Sequence, residues 1–182
     1  MIGLDGGQNM LFRAVMLLSL IISPMAFGPV TAAKRAQPAV AAGEPGLIGT
    51  WRLVRYENRS KDGTIDKLYG ERPLGYFVYD PTGHLSIHIL RNPPLPPLAS
   101  GSKTTATDVE KMQGYDAYVG YFGTYRVNKA KQVLHHQVEG ALDTTYTNTD
   151  QLRPYRLSGD VLIIEGNSAD GSSYYRELRR VR

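Results

Sequence analysis

Two adjacent histidines, His135 and His136, followed at short range by Glu139, form the most reactive-looking cluster in the chain. An imidazole titrates near neutral pH and also ligates metals. Strand geometry divides the cluster, because alternate side chains face opposite ways. Leu134, His136 and Val138 share the apolar face, and Val133, His135, Gln137 and Glu139 the other. His136 is therefore expected inside, as a neutral hydrogen-bonded core or pocket residue or as a contact to a ligand. In an enzyme it would be the general base, with Tyr125 as donor, and it would have to come within about 3 Å of the proton it takes. His84, Ser86 and His88 alternate with Leu85, Ile87 and Ile89, giving either a solvent face or a polar cavity wall. A His84/His88/His136 metal site is the weaker expectation, since zinc needs three or four converging ligands and neighbours on a strand cannot both point at one ion. No cofactor is expected.

Tyrosine is over-represented, with 12 copies against 4 phenylalanines. Tyr76 (with Val78), the pair Tyr121 and Tyr125, and Tyr155 are candidate walls of a ligand site, because a phenol joins rigid apolar surface to a polar tip. Gln151, Arg153 and Tyr155 form a polar row at period two. Arg153, if inward, needs a partner: Glu139, Asp150 or an acidic ligand would serve. No nucleophile motif, glycine-rich phosphate loop or close acid pair stands beside these residues. Glycoside hydrolysis needs two carboxylates flanking one bond, and Glu139 with Asp150 meets that only formally.

The elements that must position these groups are strands. Thr50–Asn58, Thr64–Tyr69, Leu74–Asp80, His84–Leu90, Tyr118–Val127, Gln132–Glu139, Thr149–Leu157, Val161–Glu165 and Ser173–Val181 carry strand patterns,. In the first, Trp51, Leu53 and Arg55 are expected on one face, with Arg52, Val54 and Tyr56 on the other. The turn Asp80-Pro81-Thr82-Gly83 joins the clearest hairpin,. Thr107 and Glu110 make a capping box for one short helix, Asp108–Tyr115,. Short turns without βαβ spacing exclude a parallel sheet. An all-β, single closed antiparallel up-and-down barrel of about eight or nine strands is the expected fold, because closure removes the sheet edges.

Residues 1–33 read as a signal peptide: Arg13 precedes an uncharged run broken by Pro24, Gly28 and Pro29,. Translation from Met10 would place Arg13 nearer the terminus. An uncleaved anchor facing the periplasm is the alternative, although the run is short for a span. Residues 34–46 are a linker and residues 47–182 the domain. The expected location is periplasmic or secreted, with membrane contact only through the signal or anchor. The chain has no cysteine, which excludes disulfides, thiol catalysis and lipoprotein processing. Its net charge of +4 does not imply nucleic acid: acidic and basic residues balance from Leu47 to Tyr175, and the excess sits at the two ends.

Gly49-Thr50-Trp51 resembles the Gly-x-Trp opening of the calycin (lipocalin) superfamily. With Leu47–Leu53, Gly75-Tyr76 through Ser86, Tyr121–Tyr125, His135–Gly140 and Thr149–Gln151, the chain resembles the small lipocalin-like domain family over nearly all of Leu47–Arg182. That resemblance implies a barrel plugged by Trp51, with an arginine of the last strand packed across the indole. Arg176, Arg179 and Arg180 are available, Arg179 or Arg180 fitting best by position. It brings no settled activity. The leading expectation is a monomer or homodimer binding a small hydrophobic or aromatic molecule in its interior. Rival expectations are an isomerase- or cyclase-type enzyme using the same pocket, and a barrel filled with side chains, which a cavity below roughly 300 Å³ would favour.

Overall fold

The computed structural model describes residues 45–182; the expected signal peptide and most of the linker lie outside the described residues. The strands are β1 (Gly49–Arg59), β2 (Ile65–Asp66), β3 (Leu74–Tyr79), β4 (His84–Leu90), β5 (Tyr118–Asn128), β6 (Val133–Ala141), β7 (Asp150–Ser158), β8 (Val161–Asn167) and β9 (Ser173–Arg180). The strand order is β2-β1-β3-β4-β5-β6-β7-β8-β9, and β1 pairs antiparallel with β9, Trp51 opposite Arg180 and Arg59 opposite Ser173. Eight strands thus close on themselves, and β2 is a short extra pairing at the end of β1. The expected Thr64–Tyr69 strand shrinks to those two residues. No helix among the described residues is long and apolar enough to cross a membrane.

Alternation sets inside and outside nearly everywhere. Leu85, Ile87 and Ile89 on β4 are at most 4% exposed, and Leu134, His136 and Val138 on β6 at most 3%. The register shifts twice: between β5 and β6 at Phe122/Gly123, beyond which Ala141 turns to the interior, and on β1 between Leu53 and Arg55. A bulge inserts one residue and reverses the facing beyond it. Trp51 and Leu53 are buried, but Arg55 points outward to Glu57, 2.7 Å away, and Tyr56 turns inward. The expected grouping of Arg55 with Trp51 and Leu53 is corrected accordingly.

One end of the barrel is filled. Leu47, Trp51, Tyr79, Tyr125, Leu134, Leu162 and Leu178 pack there, none more than 2% exposed. Trp51 Nε1 donates to the Leu47 carbonyl at 2.8 Å, and the Arg180 guanidinium lies 4.1 Å from the indole centroid. Arg180 is therefore the arginine across the tryptophan; it also donates to the carbonyls of Ile48 and Gly46. Arg179 faces outward to Glu177. Gly49 has φ +139°, and a Cβ there would fall 2.9 Å from an Arg180 nitrogen, so the glycine of the Gly-x-Trp opening makes room for that guanidinium.

The helix α1 (Asp108–Asp116) begins at Thr107 with the expected capping box. It buries no residue, and its C-terminal end, Tyr115 and Asp116, reaches the rim of the opposite barrel end.

Candidate functional site

The end opposite Trp51 is hollow. A cavity of about 610 Å³ opens between α1, the segment joining β6 to β7 and the β8–β9 turn. Its apolar wall is Phe77, Ile87, Ile89 and Val119, from β3, β4 and β5. Facing them are Gln151 and Arg153 of β7, Ile164 of β8, and Tyr174 and Arg176 of β9. Register places these residues: Arg176 pairs with Ile164, and Ile164 with Tyr155, so alternation along β7 and β9 brings Arg153 and Arg176 to the same interior. Beyond the Arg52–Tyr76 pair β1 parts from β3, and there Tyr69 packs edge-on against Tyr56 at 4.7 Å. Burial pushes the Tyr69 hydroxyl up to about 12.

His136 lies under the cavity rather than in its wall. It is fully buried, with Nδ1 3.0 Å from the Tyr121 hydroxyl and Nε2 3.0 Å from the Tyr79 hydroxyl. A neutral imidazole has one donor and one acceptor nitrogen, so one tyrosine accepts and the other donates. Burial, then the positive charge of Arg153, then His135, depress its pKa to about 3. Both nitrogens are occupied by phenols, and the ring is held neutral. Only Tyr121, 7% exposed and pushed up to about 12 chiefly by burial, connects this chain to the cavity. The general-base assignment of His136 loses its geometry, since the imidazole has no free nitrogen turned to the cavity. Tyr125 is likewise committed, donating to the Asp80 carbonyl at 2.8 Å in the filled end. Tyr155, 6% exposed, is buried in the core between the two ends.

Other expected residues are dispersed. Tyr76 lies on the outer face, 39% exposed, with Arg52 5.2 Å from its ring centroid, so it is not a cavity wall. Phe77 and Tyr79 are the inward pair of β3, which puts their neighbour outside,. His84 and His88 are on the outer face of β4; His88 Nδ1 meets the Tyr118 hydroxyl at 2.5 Å and Nε2 the Ser86 hydroxyl at 2.7 Å. The barrel wall separates both from His136, so the three-histidine metal site does not form. Among the described residues no group of three His, Cys, Asp or Glu side chains converges. Asp150 pairs with His135 at 2.9 Å on the outside, and Glu139 is exposed, so neither expected carboxylate reaches Arg153. That guanidinium instead meets the Gln151 side-chain oxygen at 3.1 Å and the Leu152 carbonyl at 3.2 Å.

Sequence reasoning missed Tyr56, Tyr69, Tyr146, Tyr174 and Arg176 as lining residues. For the last two a signal existed. If Arg180 crosses Trp51, period two puts Leu178, Arg176 and Tyr174 on the same inward face.

A family model described as a lipocalin-like domain matches residues 48–177. No curated protein matches the chain. Among solved structures it is similar to a redesigned β barrel, with 15% identity, 75% of this chain and 93% of that chain covered, and a TM-score of 0.39. So low a score adds nothing to the closure, which stands on the strand register. With the family model covering most of the barrel, and with the inward Trp51 and Arg180 in place, the chain belongs to the lipocalin-like domain family.

Proposed function

We propose that this protein is an exported barrel that binds a small hydrophobic or aromatic molecule in its hollow end. The observation that carries the reading is the cavity of about 610 Å³, open at one end and walled by Phe77, Ile87, Ile89, Val119 and tyrosine rings. That volume is twice the roughly 300 Å³ below which a side-chain-filled barrel would be the better account, and it falls within the range of small-molecule sites. The enzyme reading has less support, because its base and donor are both committed to internal hydrogen bonds. Export rests on the charge and hydropathy pattern of residues 1–33; N-terminal sequencing of the mature protein from a periplasmic extract checks it, and an intact, uncleaved chain in the cytoplasm would count against it.

Binding is tested with a neutral fluorescent naphthylamine, N-phenyl-1-naphthylamine, titrated into the full chain. Saturable, blue-shifted emission is expected from wild type. It is lost in a variant whose cavity is filled by Ile89→Phe and Val119→Trp, while the circular dichroism spectrum is retained. Equal emission from both proteins would place the probe elsewhere and remove the cavity from the account. Native mass spectrometry of the protein from its own host reports the natural occupant as an added small mass lost on denaturation.

A further inference from the structure

Among the described residues no carboxylate answers the two arginines inside the cavity. Arg153 and Arg176 come from strands that flank β8, and both guanidiniums approach one ring, Tyr174, at 5.6 and 5.5 Å from its centroid. Arg176 also stacks 3.3 Å over Tyr56 and donates to the carbonyls of Glu57 and Tyr175 and to the Asn58 side chain. Arg153 is held by the Gln151 side chain and the Leu152 carbonyl, with the Tyr121 hydroxyl facing it. Every one of these oxygens is neutral, and no ion pair within 4 Å involves either arginine among the described residues. The acidic groups at the rim are elsewhere engaged or distant. Asp143 accepts from the Thr145 backbone N–H and hydroxyl, and Asp116 ends α1 at the mouth without an ion pair.

Two cations held close together and largely out of water repel each other, and neutral oxygens offset only part of the desolvation. Four arginines on the outer surface, Arg55, Arg156, Arg179 and Arg182, each sit on a carboxylate, and those without one lie in water rather than in the interior. The interior pair thus lacks one component, a negative charge, and the cavity beside it is large enough to admit a molecule that carries one. Planar guanidiniums match a carboxylate with paired N–H donors.

We propose that the ligand is an amphipathic monoanion, an aromatic or aliphatic carboxylate, whose charged group is seated by Arg153 and Arg176 and whose apolar body lies against Phe77, Ile87 and Ile89. This rests on the binding reading above and narrows it from any hydrophobic molecule to an acid.

The test uses matched probes on the full chain: 1-naphthylacetate and its neutral counterpart 2-(1-naphthyl)ethanol, titrated by calorimetry at two salt concentrations. The carboxylate is expected to bind wild type at least about tenfold more tightly than the alcohol, as a charge-assisted contact allows. Its affinity should fall with added salt while that of the alcohol holds. In Arg153→Met with Arg176→Met the preference should shrink to about twofold or less. If that double variant does not fold, Arg153→Met alone should lose at least about half the preference. Equal binding of the two probes to wild type overturns the anion seat and leaves the binding reading standing. Binding of neither overturns both. A carboxylate preference that survives the arginine substitutions overturns the assignment of the seat to this pair.

Discussion

The two ends of this barrel are built from the same alternating strands and do opposite things with them. At the Trp51 end the inward residues are large, interlocked and internally hydrogen-bonded: Trp51 to Leu47, Tyr125 to Asp80, Arg180 across the indole. At the other end the inward residues line about 610 Å³ of space, and their polar atoms include two arginines with no counter-charge among the described residues. His136 with Tyr79 and Tyr121 forms the floor between them. Stability is therefore concentrated at the first end and given up at the second. Dispersion and apolar burial accumulate where side chains meet other side chains, and a residue bordering the cavity has fewer such neighbours on that side.

The largest expected effect tests that division directly. Leu162→Ala in the filled end, where Leu162 is 0% exposed, should lower unfolding stability by about 3–5 kcal/mol. Ile89→Ala removes a similar volume from a residue 4% exposed that already borders the cavity, and should cost about 2 kcal/mol or less. Urea unfolding of both variants checks this, and equal losses would mean that the two ends are packed alike. The floor gives the next effect. His136 is held neutral with a pKa of about 3 against 6.5 when unfolded, so the unfolded chain takes up a proton that the folded chain refuses. Stability from this group is fully present above pH 6.5 and falls as pH drops from 6.5 towards 3. Between pH 7.5 and 5.5 wild type should lose about 1.4 kcal/mol more than His136→Leu. The other three histidines, present in both proteins, cancel. Parallel pH profiles would mean that the imidazole is not held neutral.

The filled end was legible in the sequence because its signals are local and redundant. Gly49-Thr50-Trp51 marks the plug, and Asp80-Pro81-Thr82-Gly83 marks the β3–β4 turn, whose Asp80 carbonyl accepts from Tyr125 at this end. The hollow end was only half legible. Tyr121, Arg153 and Tyr155 face inward as their period predicts. Tyr76 does not: β3 reads Leu-Gly-Tyr-Phe-Val-Tyr, both of its faces are apolar, and period alone does not choose between Tyr76 with Val78 and Phe77 with Tyr79. Tyr56 was hidden by the bulge at Leu53–Arg55, since one inserted residue inverts all that follows and leaves no mark in the composition,. The choice between Arg179 and Arg180 was open for want of register; once β1 and β9 pair, Trp51 lies opposite Arg180.

Arginines at the two ends should give smaller effects. Arg180→Met removes the guanidinium from the Trp51 face and from the carbonyls of Ile48 and Gly46. It should destabilise the chain by about 1–2 kcal/mol, the sum of a cation–π contact and orphaned acceptors. Arg153→Met is the smallest effect and the most telling, because its sign should differ. Methionine keeps most of the side-chain stem and fits an apolar lining, while the charge it removes meets neutral groups: the Gln151 side chain, the Leu152 carbonyl, the Tyr121 hydroxyl and the Tyr174 ring. Removing a poorly compensated interior charge is neutral or favourable, so the ligand-free protein should stay within about 0.5 kcal/mol of wild type or become more stable. A loss as large as that of Arg180→Met would mean that Arg153 is part of the structural core, and the hollow end would then be holding the fold together in the same way as the filled one.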